Sequence, residues 1–219
     1  MNLLSRYRRH FSLGILGLVL GSIHPIYTQA QQQAGSTPLR LLIVGDSLSA
    51  EYGLKRGSGW VDLLKNTLMP THPAVEIINA SISGDTTSGG LSRLRSLLER
   101  TKPNIVLVEL GANDALRGLP LNMTKNNMLE MVRLIKAAGA RPILAGMQIP
   151  PNYGREYTTA FKELFEEVAQ NEQVSLIPFF LEGIADNAAM FQADTIHPNE
   201  QAQPILMENV LKVLVPMLR

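Results

Sequence analysis

The chain has 219 residues, 45% of them hydrophobic and 18% charged, with 20 Lys and Arg against 19 Asp and Glu and a formal net charge of +1. That length suits one ordinary core, and a charge so near zero gives no electrostatic case for binding nucleic acid or an anionic membrane. No cysteine is present, which excludes disulfides, thiolate nucleophiles and cysteine-ligated metals.

Residues 1–30 stand apart from the rest. Arg6, Arg8 and Arg9 precede an apolar run from Phe11 to Ile23, and Thr28-Gln29-Ala30 offers small residues before the polar Gln31-Gln32-Gln33. This is the layout of a secretory signal peptide with cleavage expected after Ala30. Its apolar core of about thirteen residues falls short of the ~20 that span a bilayer as a helix, which disfavours a retained anchor. Cleavage would remove three arginines and no acid, leaving 17 basic against 19 acidic residues. The expected organisation is therefore a signal peptide (1–30), a polar linker (31–38) and one domain (39–219), exported to the periplasm or beyond a bacterial cell.

Strands then alternate with helices. Apolar, β-branched runs predict strands at Leu39–Val44, Val75–Asn79, Asn104–Leu110, Pro142–Gly146 and Val174–Pro178. Between them, apolar residues at helical spacing form four faces: Trp60, Leu63, Leu64, Leu68; Leu91, Leu94, Leu97, Leu98; Met128, Val132, Ile135; and Phe161, Leu164, Phe165, Val168. A last helix is expected from about Glu200 to Leu214, with Pro204 tolerated in its first turn. Such alternation implies an α/β fold, a mostly parallel five-stranded sheet with helices on both faces.

In that architecture the strand-to-helix loops gather at one edge of the sheet. They read Gly45-Asp46-Ser47-Leu48-Ser49, Ser81-Ile82-Ser83-Gly84-Asp85-Thr86, Gly111-Ala112-Asn113-Asp114 and Gln148 to Gly154, followed by Asp194-Thr195-Ile196-His197-Pro198 before the last helix. Taken alone, a Gly-Asp-Ser at a strand end is a turn or a helix N-cap. What raises Ser47 above that is the supply of partners. A serine nucleophile needs a positioned base, and the base needs a partner that fixes its tautomer. Beyond the expected signal only His72 and His197 remain. His72 sits between Pro70 and Pro73 without an acid, whereas Asp194 lies three residues before His197. Acyl transfer also needs donors for the tetrahedral oxyanion. The Ser47 N–H, the Gly84 N–H and the Asn113 side-chain amide are the candidates, at three successive strand ends.

These blocks, "GDSLS", "SGDTT", "GAND" and "DTIHPN", resemble those of the GDSL, or SGNH, hydrolases, and come in the same order. The four residues that name that family match Ser47, Gly84, Asn113 and His197, with Asp194 as the acid. The likeness extends from Leu39 to Arg219, through "INASISGDTTSGGLSRLRSLLERTKPNIVLVELGANDALRGL" and "IPPNYGREYTTAFKELFEEVAQ", and is nearest to the secreted bacterial thioesterase, arylesterase and lysophospholipase branch. It implies a three-layer flavodoxin-like fold, no cofactor and no metal, and hydrolysis of small acyl ester or thioester substrates through an acyl-serine. The alternatives are a carbohydrate acetylesterase and a non-catalytic lipid- or glycan-binding module. Asp46 is read as structural. Asn152, Tyr153 and Gly154, after two stiffening prolines, are expected to bind substrate as an acyl-chain wall or moving cover. Leu181 to Gln192 has no secure match in the family pattern.

Overall fold

The computed structural model describes residues 38–218. The expected signal peptide and all but the last residue of the expected linker lie outside the described residues.

Five strands, β1 (Leu39–Gly45), β2 (Val75–Asn79), β3 (Ile105–Glu109), β4 (Arg141–Ala145) and β5 (Ser175–Ile177), form one parallel sheet in the order β2-β1-β3-β4-β5. Each expected strand agrees with the observed one to within one residue at either end. Leu41–Val44 of β1 and Ile105–Val108 of β3 are fully buried, because a central parallel strand is covered on both faces and must be apolar on both.

Helices α1 (Trp60–Leu68), α2 (Thr87–Thr101), α3 (Ala112–Leu116), α4 (Leu121–Ala137), α5 (Arg155–Glu172) and α6 (Gln203–Leu214) complete the domain. The pairing of α1 with α6, and of α4 with both α2 and α5, makes the two outer layers. Their buried stripes are those the apolar spacing predicts: Leu64 and Leu68, Leu94 and Leu98, Met128 and Ile135, Phe161 and Phe165. Edge-on aromatic pairs, Trp60 with Phe180 and Phe161 with Phe165, have ring centroids 5.6 and 5.3 Å apart. The last helix begins at Gln203 rather than Glu200, and Pro204 indeed lies in its first turn. The buried Gln203 side chain accepts the Trp60 N–H at 3.0 Å, which ties α6 to the start of α1.

One element departs from the expected pattern. The stretch expected to be a loop, Gly111 to Asp114, runs into the five-residue helix α3. A helix so short has no apolar periodicity to read and is not stable alone. Tertiary bonds hold it: the buried Asp114 carboxylate accepts the Thr87 N–H at 2.9 Å, the Thr124 hydroxyl at 3.2 Å and the Thr87 hydroxyl.

The strand order places the site. From β1 the chain goes to β2 on one side and then crosses to β3 on the other. The connections leaving β1 and β3 therefore diverge, opening a crevice beyond their carboxyl ends. Gly45 and Glu109, the last residues of the two strands, are partners in register.

Candidate active site

Ser47 stands two residues past β1, at this crevice. It caps no helix, since α1 begins only at Trp60 and has Gly59 at its N-cap. The loop turns sharply instead. The Asp46 carbonyl accepts the N–H groups of Ser49 at 3.3 Å and Ala50 at 3.0 Å, and Asp46 Oδ1 accepts the Leu48 N–H at 3.0 Å. The turn leaves the Ser47 side chain half-buried and facing the crevice.

The segment before α6 approaches from the other side of the serine. His197 Nε2 lies 2.9 Å from Ser47 Oγ, and His197 Nδ1 lies 2.7 Å from Asp194 Oδ2. With the Nδ1 proton directed to the carboxylate, Nε2 is left to accept the serine hydroxyl. The three-residue spacing works because the chain folds back within it: Thr195 has a positive φ of 61°, and the Gln192 N–H donates to the His197 carbonyl at 2.8 Å. Asp194 Oδ1 accepts the backbone N–H groups of Ile196 and His197, each at 3.0 Å. Those donors, that of His197 foremost, hold its carboxyl down at about 2. The ring of His72, the alternative histidine, is hydrogen-bonded to the neighbouring Thr71 hydroxyl at 2.9 Å.

Of the expected oxyanion donors, Ser47 and Asn113 line the cleft with His197, and Gly84 belongs to the loop whose Asp85 carbonyl Asn113 contacts. Among the described residues neither the Ser47 N–H nor the Gly84 N–H donates to a protein acceptor, and Gly84 takes a positive φ of 78°. Asn113 is engaged: its amide donates to Asp46 Oδ2 at 2.9 Å and to the Asp85 carbonyl at 3.0 Å. An oxyanion must therefore share one of those two protons. Four residues on, at the C-cap of α3, Arg117 donates to the Gly84 carbonyl at 2.8 Å. Helical spacing thus sets Asn113 and Arg117 on consecutive carbonyls of the β2–α2 loop.

A cleft of about 820 Å³ opens from Ser47 and His197. Its walls are mostly apolar, with Leu116, Met147, Ile149, Phe179, Leu181 and Phe191 prominent. Of the proline-containing loop only Gln148 to Pro151 reaches it, and the expected substrate residues do not. Tyr153 and Gly154 line a separate hollow of about 520 Å³, and Asn152 lines neither. A 3-10 turn spans Pro151–Tyr153. The segment without a family match, Leu181 to Gln192, instead forms one wall through Leu181, Ala185, Ala188 and Phe191.

Two further residues escape a motif-based reading. The Tyr52 ring packs on His197 with centroids 4.4 Å apart, and its carbonyl accepts from Gln192 at 2.9 Å, bracing the histidine segment. Glu109, behind Asp46, is almost fully buried. The available signal was a charged residue ending the apolar strand "NIVLVE". Among the described residues no cluster of His, Asp and Glu could hold a metal ion, and no helix is long and apolar enough to cross a membrane.

Residues 43–204 match the model of the GDSL-like lipase/acylhydrolase family. The chain is 45% identical over 201 residues to the esterase TesA of Pseudomonas aeruginosa, covering 92% of this chain and 98% of that one. To the thioesterase 1/protease 1/lysophospholipase L1 of Escherichia coli K12 it is 41% identical over 177 residues, 81% and 84% of the two chains. Among solved structures, that of the psychrotrophic esterase EstA from Pseudoalteromonas sp., inhibited by monoethylphosphonate, superposes with a TM-score of 0.78. Its identity is 40%, over 82% of this chain and 98% of that one.

Proposed function

Because this chain belongs to the GDSL-like lipase/acylhydrolase family and is an esterase of it, we propose that it hydrolyses acyl esters and thioesters through an acyl-serine intermediate on Ser47. In that reading Ser47 Oγ attacks the acyl carbonyl while its proton passes to His197 Nε2. The imidazolium, stabilised by Asp194, then returns the proton to the leaving oxygen or sulfur. Water repeats the sequence on the acyl-serine and releases the acid. The N–H groups of Ser47 and Gly84 and the Asn113 amide hold the oxyanion.

The observation that carries the reading is the relay itself, 2.9 Å from Ser47 to His197 and 2.7 Å from His197 to Asp194, at the mouth of an apolar cleft. Two relatives add support. The Escherichia coli protein is named for thioester and lysophospholipid hydrolysis. A phosphonate, which inhibits the Pseudoalteromonas esterase, has the tetrahedral shape of a carbonyl adduct. The size and apolar lining of the cleft favour acyl chains over acetyl groups on sugars, because an acetyl group would leave most of about 820 Å³ unfilled.

Ser47→Ala is expected to cut p-nitrophenyl ester turnover by about 10³-fold or more and to abolish labelling by a fluorophosphonate probe. Near-wild-type turnover would overturn the assignment. A panel of acyl-CoA, lysophospholipid, graded acyl esters and acetylated xylan separates the acylhydrolase from a carbohydrate acetylesterase. The working location in this proposal is beyond the inner membrane. N-terminal sequencing of the exported protein should start at Gln31, and an unprocessed Met1 in the cytosol would refute export.

A further inference from the structure

The relay leaves unused a pair of carboxyl groups directly beneath it. Glu109, the last residue of β3, lies in register with Gly45, and both it and Asp46 are 1% exposed. Glu109 Oε2 accepts the Ser49 hydroxyl at 2.7 Å and the Asp46 N–H at 3.3 Å. Its other oxygen, Oε1, is buried without a hydrogen-bond partner. The packing admits nothing else at this point, since a Cβ on Gly45 would stand 2.8 Å from both Glu109 Oε2 and Ser49 Oγ. Two otherwise unexplained letters of "GDSLS", the first Gly and the second Ser, are thus accounted for by one acid on the neighbouring strand.

Two adjacent carboxylates in a dry site do not both ionise. Burial raises both groups, Asp46 to about 6 and Glu109 well above the usual carboxylate range. Asp46 has the better claim to the charge. It accepts the Leu48 N–H at 3.0 Å and the Asn113 amide at 2.9 Å, and the charged groups that face it are His197, which favours its ionisation, and Asp85, which opposes it. Asp85 is itself paired with Arg93 at 2.8 Å. The charged group facing Glu109 is Asp46. A proton on Glu109 lets its side chain donate a hydrogen bond to the Asp46 side chain beside it in place of two facing negative charges.

We propose that Glu109 is a positioning residue working as a neutral acid: it shares one proton with Asp46 and so holds the Asp46 carboxylate against the Asn113 amide, which fixes that amide for the oxyanion. The proposal rests on Asn113 being an oxyanion donor. Ionising Glu109 places a second negative charge under Asp46, drives the carboxyls apart and releases Asn113. Activity then falls at alkaline pH without any change in the relay.

Glu109→Gln keeps a neutral group with an acceptor for Ser49 and donors for Asp46. It is expected to retain kcat within about threefold and KM unchanged, with the alkaline limb of kcat displaced to higher pH. Glu109→Ala, assayed as the full chain with active sites counted by fluorophosphonate labelling, is expected to lose about 10- to 100-fold in kcat with little change in KM, the scale of a misplaced catalytic group. A Gln variant as slow as the Ala variant, or an Ala variant with wild-type kcat, overturns the proposal. Should the Ala variant fail to fold, the pH profile decides between wild type and Glu109→Gln: a displaced alkaline limb supports the shared proton, and an unmoved one overturns it. Asn113→Ala is the separate control. If it keeps wild-type kcat, the oxyanion assignment falls; if it is slow while the Glu109 variants behave alike, only the positioning role falls.

Discussion

Asp194 Oδ1 takes two backbone N–H groups and Oδ2 takes the His197 ring, so one side chain both shapes the turn and fixes the imidazole. Its folded value of about 2 lies below the ordinary 3.8. The stability that this carboxylate contributes is therefore present above about pH 3.8 and lost only as pH falls towards 2. Asp194→Asn should keep the turn largely intact yet lower kcat by about 10²- to 10⁴-fold, because the amide cannot hold the reactive tautomer. Steady-state kinetics together with a circular dichroism spectrum check this; a wild-type kcat would show that Asp194 only shapes the loop. At this scale the sequence was legible where a residue type itself suggests a chemistry, and the structure brings the three residues so suggested, Ser47, Asp194 and His197, into contact. It was not legible for Glu109 or Tyr52, whose importance comes from what they touch.

Helix α3 shows how an element without local signals becomes part of a site. Asp114 binds it to the first residue of α2 and to Thr124 of α4, and Asn113 and Arg117 then reach the β2–α2 loop. Asp114→Ala strands the Thr87 N–H and hydroxyl in a buried place. It is expected to cost about 1.5–3 kcal/mol, read as a lower urea midpoint at unchanged slope, with a fall in kcat as Asn113 loosens. Unaltered stability would mean that α3 is held by its apolar contacts alone. The longer helices were readable because repeated burial imposes a period on the sequence. The cleft wall from Leu181 to Phe191 was not, since its 3-10 turn and irregular coil carry no period. The reach of the proline loop is not legible for a related reason: two prolines announce stiffness but not which way the chain leaves the turn, and Tyr153 and Gly154 line a hollow separate from the cleft at the serine.

Across the whole molecule, the buried Asp46 couples the site to global stability. Its value is raised from 3.8 to about 6, chiefly by burial. Its contribution to stability is accordingly present in full below about pH 3.8 and lost as pH rises through 6. Denaturation midpoints taken from pH 4 to 7 should fall with pH more steeply for wild type than for Asp46→Asn; parallel curves would contradict the raised value. The sequence by itself determined the alternation of strands and helices and the strand boundaries, and it singled out Ser47, Asp194 and His197 as the candidate reacting groups. Apolar periodicity, backbone limits at proline and the scarcity of histidine are local properties that any arrangement of the chain must respect. Only the tertiary structure decided the strand order, which sets β1 beside β3 and opens the crevice between them. It likewise decided that Glu109 lies under Asp46, that Asn113 is held by two acceptors, and which loop walls the cleft. Those are contacts between residues distant in sequence, and no local pattern encodes them.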